Sequence, residues 1–399
     1  MNIGVGWALL GDWSYPTAIR FGAGRIEELP DACAKIGIAR PLLITDPGLA
    51  ALGMVQQAVA NCTDAGLPAA AFSDIAANPV GRNVADAVVA YRAGGHDGVI
   101  AFGGGSAMDV AKATALMAGQ RRPIWDFEDR EDWYLRADAD AIAPVVAVPT
   151  TAGTGSEVGR VAVITDEDAR CKKLIFHPRL MPGAVILDPE LTLGLPADLT
   201  AATGMDALAH NLEAYCARGF HPLADGIALE GMRLVHEWLP AAVRDGADLS
   251  ARAHMLVAST MGATAFQKGL GAIHALSHPV GALYNAHHGL TNAVFMPYVL
   301  AFNRPAIEGR LERLARYLGL APGGADGFMQ WVLALRREIG IPHRLADLGV
   351  AESGVDDLVA LAEIDQARAG NPRPLSKQDL CQLFIDAIRG DLPESPASP

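Results

Sequence analysis

Gly98-Val99-Ile100-Ala101-Phe102-Gly103-Gly104-Gly105-Ser106-Ala107-Met108-Asp109 is the stretch on which the fold turns. It opens as a short apolar run, passes through three consecutive glycines, and continues into VAKATALMAG (110–119), which has helical spacing. Strand, glycine turn and helix in that order place bare backbone N–H groups and a helix N-terminus where a pyrophosphate can sit. The residue order is not Gly-x-Gly-x-x-Gly, and no Walker-type Lys-Ser/Thr follows. Taken alone, the motif is open between a nucleotide turn and a tight turn with no ligand.

Working outward, similar apolar runs recur at PLLITD (41–46), PVVAVPTT (144–151) and AVILDPE (184–190), separated by helical stretches. This alternation predicts βαβ units and a parallel sheet buried on both faces. A second polar turn, PTTAGTGSE (149–157), follows one of these strands and supplies hydroxyls and unblocked amides at the strand's C-terminal end, the edge where open α/β sheets bind ligands. Asp46, closing PLLIT, is placed either to accept hydrogen bonds from an adenosine ribose, favouring NAD, or to cap the turn before Pro47.

Past Leu195 the texture changes to Ala- and Leu-rich helical periodicity with no comparable β-run. The boundary is set near residue 190, giving an α/β domain over 1–190 and an all-helical domain over 191–399. LPADLTAATGMDALAH (195–210) opens the second part: Pro196 and Asp198 can start a helix, and Thr200 or Thr203 can cap a following one. Asp206 and His210 stand four residues apart and share a helix face. His274 and His278 repeat that spacing just before Pro279, expected to end or kink their helix, and His288 follows in NAHHGLTNA (285–293). The residues around the first two pairs are small and apolar, so these polar groups need partners. A shared metal bound by one carboxylate and several imidazoles satisfies them; mutual hydrogen bonding is the alternative.

With 51% apolar and 19% charged residues, the 399-residue chain is long and apolar enough for two packed domains. A net charge of −13 argues against nucleic acid and anionic membrane surfaces as partners. No apolar run reaches the length of a membrane span, and MNIGVGWALLGDW (1–13) lacks the basic segment of a signal peptide. The five cysteines are scattered and form no Cys-x-x-Cys pair, which suits free thiols in a reducing, cytoplasmic setting. The C-terminal DLPESPASP (391–399) reads as a loose tail.

Together, GGGSAMD, PTTAGTGSE, GMDALAH, IHALSHPVGA and HHGLTNA, in that order, resemble the iron-containing (group III) alcohol dehydrogenase family, over nearly the whole chain from FGAGRIEELP (21–30) to NPRPLSKQDL (371–380). The resemblance implies a Rossmann-like dinucleotide-binding domain followed by an all-α metal-binding domain, an architecture shared with dehydroquinate synthase, with metal and nicotinamide meeting in the cleft between the domains. It implies Fe(II), with Zn(II) as the alternative ion, held by Asp206, His210, His274 and His288. It further implies NAD, with Gly103, Gly104 and Ser106 on the pyrophosphate and Thr150, Thr151 and Thr154 along the nucleotide. Asp46 falls on the ribose position, and Asn78 with Lys172 or Lys173 borders the groove. Homodimers or larger assemblies are implied as well.

The implied reaction interconverts a small primary or secondary alcohol and its aldehyde or ketone: metal polarises the substrate oxygen and hydride moves at nicotinamide C4. His278 matches a non-ligand histidine near the nicotinamide and is read as proton relay or as a hydrogen-bonding neighbour of the metal site. His287 is expected to point away from the metal. Lys268, six residues before His274, is read as a surface lysine or an attractor for an anionic aldehyde. Two rivals are a metal- and NAD-using lyase or cyclase of the dehydroquinate synthase type, opposed by the Asp-plus-three-His set, and a non-catalytic NAD- or metal-binding sensor.

Overall fold

The computed structural model describes residues 15–392; the N-terminal MNIGVGWALLGDW and most of the C-terminal DLPESPASP lie outside the described residues. Eight strands are described: β1 (Ala18–Phe21), β2 (Pro41–Ile44), β3 (Ala70–Phe72), β4 (Gly98–Gly103), β5 (Val145–Pro149), β6 (Val161–Asp166), β7 (Cys171–Phe176) and β8 (Ala184–Leu187). The chain divides into two compact units. One gathers Pro16–Leu195 with Gly246–Leu256, the other Pro196–Asp245 with the chain from Val257 onward.

In the first unit, six strands form one parallel sheet in the order β1-β8-β5-β4-β2-β3. The four apolar runs of the sequence are β2, β4, β5 and β8. All residues of β4 are buried, as a strand covered on both faces requires. Ile100 and Phe102 of β4 point with Val146 and Val148 of β5 into a core formed with Leu29, Leu43 and Ile186. A second core joins Ala113 and Leu116, on the helix Gly105–Met117, to Ala162, Ile164 and Ile175 of β6 and β7. These last two strands form a separate antiparallel hairpin, which the expectation of βαβ units did not include. The chain leaves β2 for the edge strand β3 and then returns to β4 on the other side of β2. Such a reversal opens a crevice at the carboxyl ends of the two strands, the usual ligand position of an open α/β sheet.

Arg252, in the segment that joins this unit from later in the chain, is buried and donates to the carbonyls of Gly246 and Leu195 at 3.0 Å each. A boundary at 190 with everything beyond it in one domain does not describe this segment.

The second unit is helical throughout its described residues. Its principal helices are Ala197–Cys216, Pro222–Arg244, Ala272–Tyr284, His288–Tyr317, Gly324–Glu338, Val355–Ile364 and Lys377–Arg389. Ala197–Cys216 is buried almost continuously from Thr200 to its end and packs on Pro222–Arg244 and His288–Tyr317. Its small residues permit close approach. Gly289 faces it so tightly that a Cβ there would lie 2.4 Å from the Ala202 carbonyl oxygen and 3.0 Å from Asp206 Cβ. Two local expectations are corrected. Thr200 and Thr203 do not stand at a helix start; their hydroxyls donate back to the Pro196 and Leu199 carbonyls at 2.9 and 2.8 Å inside one unbroken helix. Of the two outcomes expected at Pro279, ending the helix is overturned: the helix continues to Tyr284 and closes on Asn285 in the left-handed region. Among the described residues, no helix is long and apolar enough to cross a membrane.

Candidate metal and nucleotide sites

Three helices of the second unit bring the histidines and the aspartate together. Asp206 and His210 project from one turn of Ala197–Cys216, and His274 from the first turn of Ala272–Tyr284. One donor atom from each of the three lies within 4.8 Å of the others, and all three residues are buried. The His210 and His274 rings stack at 4.6 Å between centroids. His288 starts the third helix, its Nε2 3.7 Å from Asp206 Oδ1. Asn292, one turn further on, is fully buried and sends its amide nitrogen to Asp206 Oδ1 at 2.7 Å, with His288 Nε2 at 3.1 Å and His274 Nε2 at 3.2 Å.

The donor set fits a divalent cation. Burial works to push the His274 imidazole down, but the hydrogen bond and charge of Glu213, joined by the charge of Asp206, outweigh it and leave its pKa raised. Carboxylates here thus call for positive charge in a dry place, which a metal ion supplies without a proton. Among the described residues, the Asn292 carbonyl oxygen has no hydrogen-bond partner, while its amide nitrogen faces the donor atoms. One carboxylate with imidazoles suits Fe(II) or Zn(II) on ligand chemistry.

Around these donors stand residues that the sequence reading missed. A Glu213 carboxylate oxygen lies 2.6 Å from His274 Nδ1. Asp365 sits 2.8 Å from Nδ1 of His278 and also caps the following turn through Ala367 N–H. The His278 ring lies parallel to that of His288, 5.3 Å away. His287 is turned aside as expected, capping the helix by accepting from Leu290 N–H at 3.3 Å. Lys268 is neither at the surface nor available to a substrate. Its side chain is 1% exposed, with Nζ 2.5 Å from Asp225 Oδ1 and 3.1 Å from the Tyr215 carbonyl oxygen.

In the first unit, the glycine turn and the second polar loop meet. Gly103 has φ +147°, and a Cβ there would lie 2.8 Å from Ala107 Cβ and 3.6 Å from Asp46 Oδ2. A Cβ on Gly104 would meet Thr151 at 3.3 Å, and one on Gly105 would meet Thr154 Oγ1 at 2.6 Å. The bare backbone thus runs between Asp46 on one side and the two threonines on the other. Thr150 N–H donates to the Gly103 carbonyl at 3.1 Å. Of the two roles the sequence left open to Asp46, the structure has the cap: Oδ1 accepts from Leu49 N–H at 2.9 Å, while Oδ2 faces Gly103. The Ser106 hydroxyl donates to the Ala77 carbonyl, beside Asn78.

A buried network, also unforeseen, ties the helix Gly105–Met117 to the second polar loop. Lys112 Nζ, 1% exposed, donates to the Ser156 carbonyl at 3.0 Å and its hydroxyl at 2.5 Å, and Ser156 donates to Asp109 at 2.7 Å. Burial pushes Asp109 up and Lys112 down, against the mutual attraction of the pair. Lys172 and Lys173 are separable: Lys173 is bound to Asp166 at 2.7 Å, whereas the charge of Lys172 reaches Asp109.

The iron-containing alcohol dehydrogenase model matches residues 16–189, and the C-terminal domain model of the same family matches 200–388. The chain belongs to the iron-containing alcohol dehydrogenase family. It is 45% identical to a 4-hydroxybutyrate dehydrogenase of Cupriavidus necator, across 94% of this chain and 99% of that one. It is 37% identical to an NAD-dependent methanol dehydrogenase of Bacillus methanolicus, across 94% and 98%. The structure of a 1,3-propanediol oxidoreductase superposes with TM-score 0.90 at 34% identity, covering 95% of this chain and all of that one. Membership in the family makes the chain an NAD(H)-dependent oxidoreductase that interconverts an alcohol and its carbonyl compound, with iron and NAD as cofactors.

Proposed function

We propose that this enzyme interconverts a short primary alcohol and its aldehyde, with 4-hydroxybutyrate and 4-oxobutanoate the first pair to test. The observation that carries the reading is the meeting of Asp206, His210 and His274 in one buried cluster. The identity shared with the 4-hydroxybutyrate dehydrogenase supports the choice of substrate. Asp206, His210, His274 and His288 would hold Fe(II), or Zn(II) in its place. The ion supplies a Lewis acid for the substrate oxygen.

The remaining work falls to the chain. The amides of Gly103, Gly104 and Ser106 would receive the cofactor pyrophosphate at the N-terminus of Gly105–Met117, where the helix dipole favours negative charge. Thr150, Thr151 and Thr154 line the nucleotide, with Asn78 and Lys172 at its border. Asp46 keeps one carboxylate oxygen for the ribose, which favours NAD over its phosphorylated form. His278 moves the proton between the alcohol oxygen and solvent: with Nδ1 engaged by Asp365, its Nε2 is the atom left to relay.

The enzyme is read as a cytoplasmic homodimer or larger homo-oligomer. The oligomeric part of this reading is supported by β1, an edge strand among the described residues that leaves Ile19 and Phe21 exposed at 38% and 45%. The test is NADH consumption by metal-stripped protein reloaded separately with Fe(II) or Zn(II), against 4-oxobutanoate and neutral short aldehydes. Turnover restored by one ion and fastest with 4-oxobutanoate is the expected result. Bound NADH with no turnover under any ion would sink the reading.

A further inference from the structure

The Glu213 carboxylate lies behind the metal donors and is buried, 6% exposed. It follows His210 by three positions, on the same face of Ala197–Cys216 as both donors there. Three nitrogen atoms converge on it. Oε2 accepts from Gly271 N–H at 2.9 Å and lies 2.6 Å from His274 Nδ1, and Oε1 accepts from Ile273 N–H at 2.6 Å.

An ionised carboxylate that already accepts two backbone bonds can only accept the third, so the His274 proton resides on Nδ1. A neutral imidazole protonated there has a bare lone pair on Nε2. The other side of the ring agrees, because Nε2 faces the Asn292 amide nitrogen, a donor, at 3.2 Å. His274 is 1% exposed, so solvent is poorly placed to set its tautomer. His288 Nδ1 lies 3.4 Å from the Ser277 hydroxyl, a longer contact than that of His274 Nδ1 with Glu213.

We propose that Glu213 is a positioning residue of the metal centre: it holds His274 in the tautomer that turns an unprotonated Nε2 toward Asp206 and His210. The proposal rests on the metal reading given above and adds to it a residue that touches neither metal nor substrate. Holding the helix start is a separable task. Asn371 Oδ1 accepts Ala272 N–H at 3.1 Å and is braced by a reciprocal pair of 2.8 Å bonds with Asn303. The first turn of Ala272–Tyr284 therefore has a second, uncharged holder that does not contact the histidine.

The test compares Glu213→Gln with Asn371→Ala, reading the Zn(II) dissociation constant by chelator competition and the thermal midpoint of each protein. An amide at 213 offers a donor where the carboxylate accepts, and so favours a proton on the wrong nitrogen of His274. Partners behind a metal-bound histidine are typically worth 10–100-fold in metal affinity. Glu213→Gln is expected to weaken Zn(II) by about that factor, and Asn371→Ala to lower the midpoint with affinity close to wild type. Equal affinity in Glu213→Gln and wild type overturns the proposal alone, as does an equal loss in both variants, which would mean that anchoring the helix is all that counts. Wild-type protein that binds no Zn(II) or Fe(II) overturns the metal reading and this inference with it. A measurement needing no variant stands beside these: the ¹⁵N shifts of His274 in Zn(II)-loaded wild-type protein should show the proton on Nδ1, and a proton on Nε2 overturns the assignment.

Discussion

The nucleotide turn and the metal cluster are built by opposite means. At Gly103–Gly105 the chain withholds side chains: an added Cβ would collide with Ala107 at 2.8 Å on Gly103 and with Thr154 at 2.6 Å on Gly105, and would crowd Thr151 at 3.3 Å on Gly104. At Asp206, His210 and His274 the side chains are the site, and the surrounding small residues exist to let three helices close on them. The first region is injured by adding a methyl group, the second by removing a ligand. Each carries its own buried charges: Lys112 and Asp109 lock one loop to one helix, while Glu213 and Asp365 engage the outward nitrogens of two imidazoles.

The sharpest way to break this contrast is Asp206→Ala. We expect metal content at background and turnover down by more than ~100-fold, beyond what outer partners of a metal site contribute, while NADH still binds; fluorescence titration of NADH and metal analysis read both halves. Gly103→Ala is the mirror experiment. It forces an L-residue to φ +147° against Ala107, at a cost of about 1–3 kcal/mol. If half of that falls on cofactor binding, KM for NAD rises about 2- to 13-fold, with metal content unchanged. A Gly103→Ala protein that loses its metal but keeps its KM for NAD would reverse the two assignments.

What the sequence made legible follows the same division. The strands β2, β4, β5 and β8 are uninterrupted apolar runs because both their faces are covered. The edge strands β1 and β3 are only four and three residues long and largely exposed, so they carry no such run. The β6–β7 hairpin was missed although β6 alternates strictly between half-buried and buried positions; Val161, Val163 and Thr165 on its outer side mask the alternation. The metal donors are visible because i, i+4 spacing on a helix is local information. Their supports are not. Asn292 meets Asp206 across 86 residues, and Asp365 meets His278 across 87. Only Glu213 was within reach, at the third position after His210 in GMDALAHNLEAY, where a buried acid asks for a donor.

A smaller effect separates binding from proton movement within the metal region. His278→Asn keeps the four proposed ligands and removes the group engaged by Asp365. General acid–base catalysis contributes about 10²–10⁴-fold, and we expect kcat to fall by roughly 10²-fold with metal content and NADH affinity intact. Imidazole added to the buffer should recover part of the loss. Unchanged kcat in this variant would return His278 to a structural neighbour of His288, against which its ring is stacked.

The smallest expected effect on chemistry is that of Lys268→Met, and it sharpens the question of how an anionic substrate would be recognised. Sequence position suggested this lysine as an electrostatic attractor, six residues before His274. In the structure its charge is already committed to Asp225, which Arg310 also approaches at 3.3 Å. Burial and the Arg310 charge pull the Lys268 amine below its ordinary pKa, opposed by Asp225. An ammonium so placed presents little field to a substrate and much to its own carboxylate. Its removal should therefore appear in stability, by about 1–3 kcal/mol for a carboxylate deprived of one charged donor, measured as a lower denaturation midpoint. The ratio of kcat/KM for 4-oxobutanoate to that for a neutral aldehyde of the same length should not move. If that ratio falls severalfold while the midpoint holds, the lysine acts on the substrate after all, and its pairing with Asp225 must open during turnover.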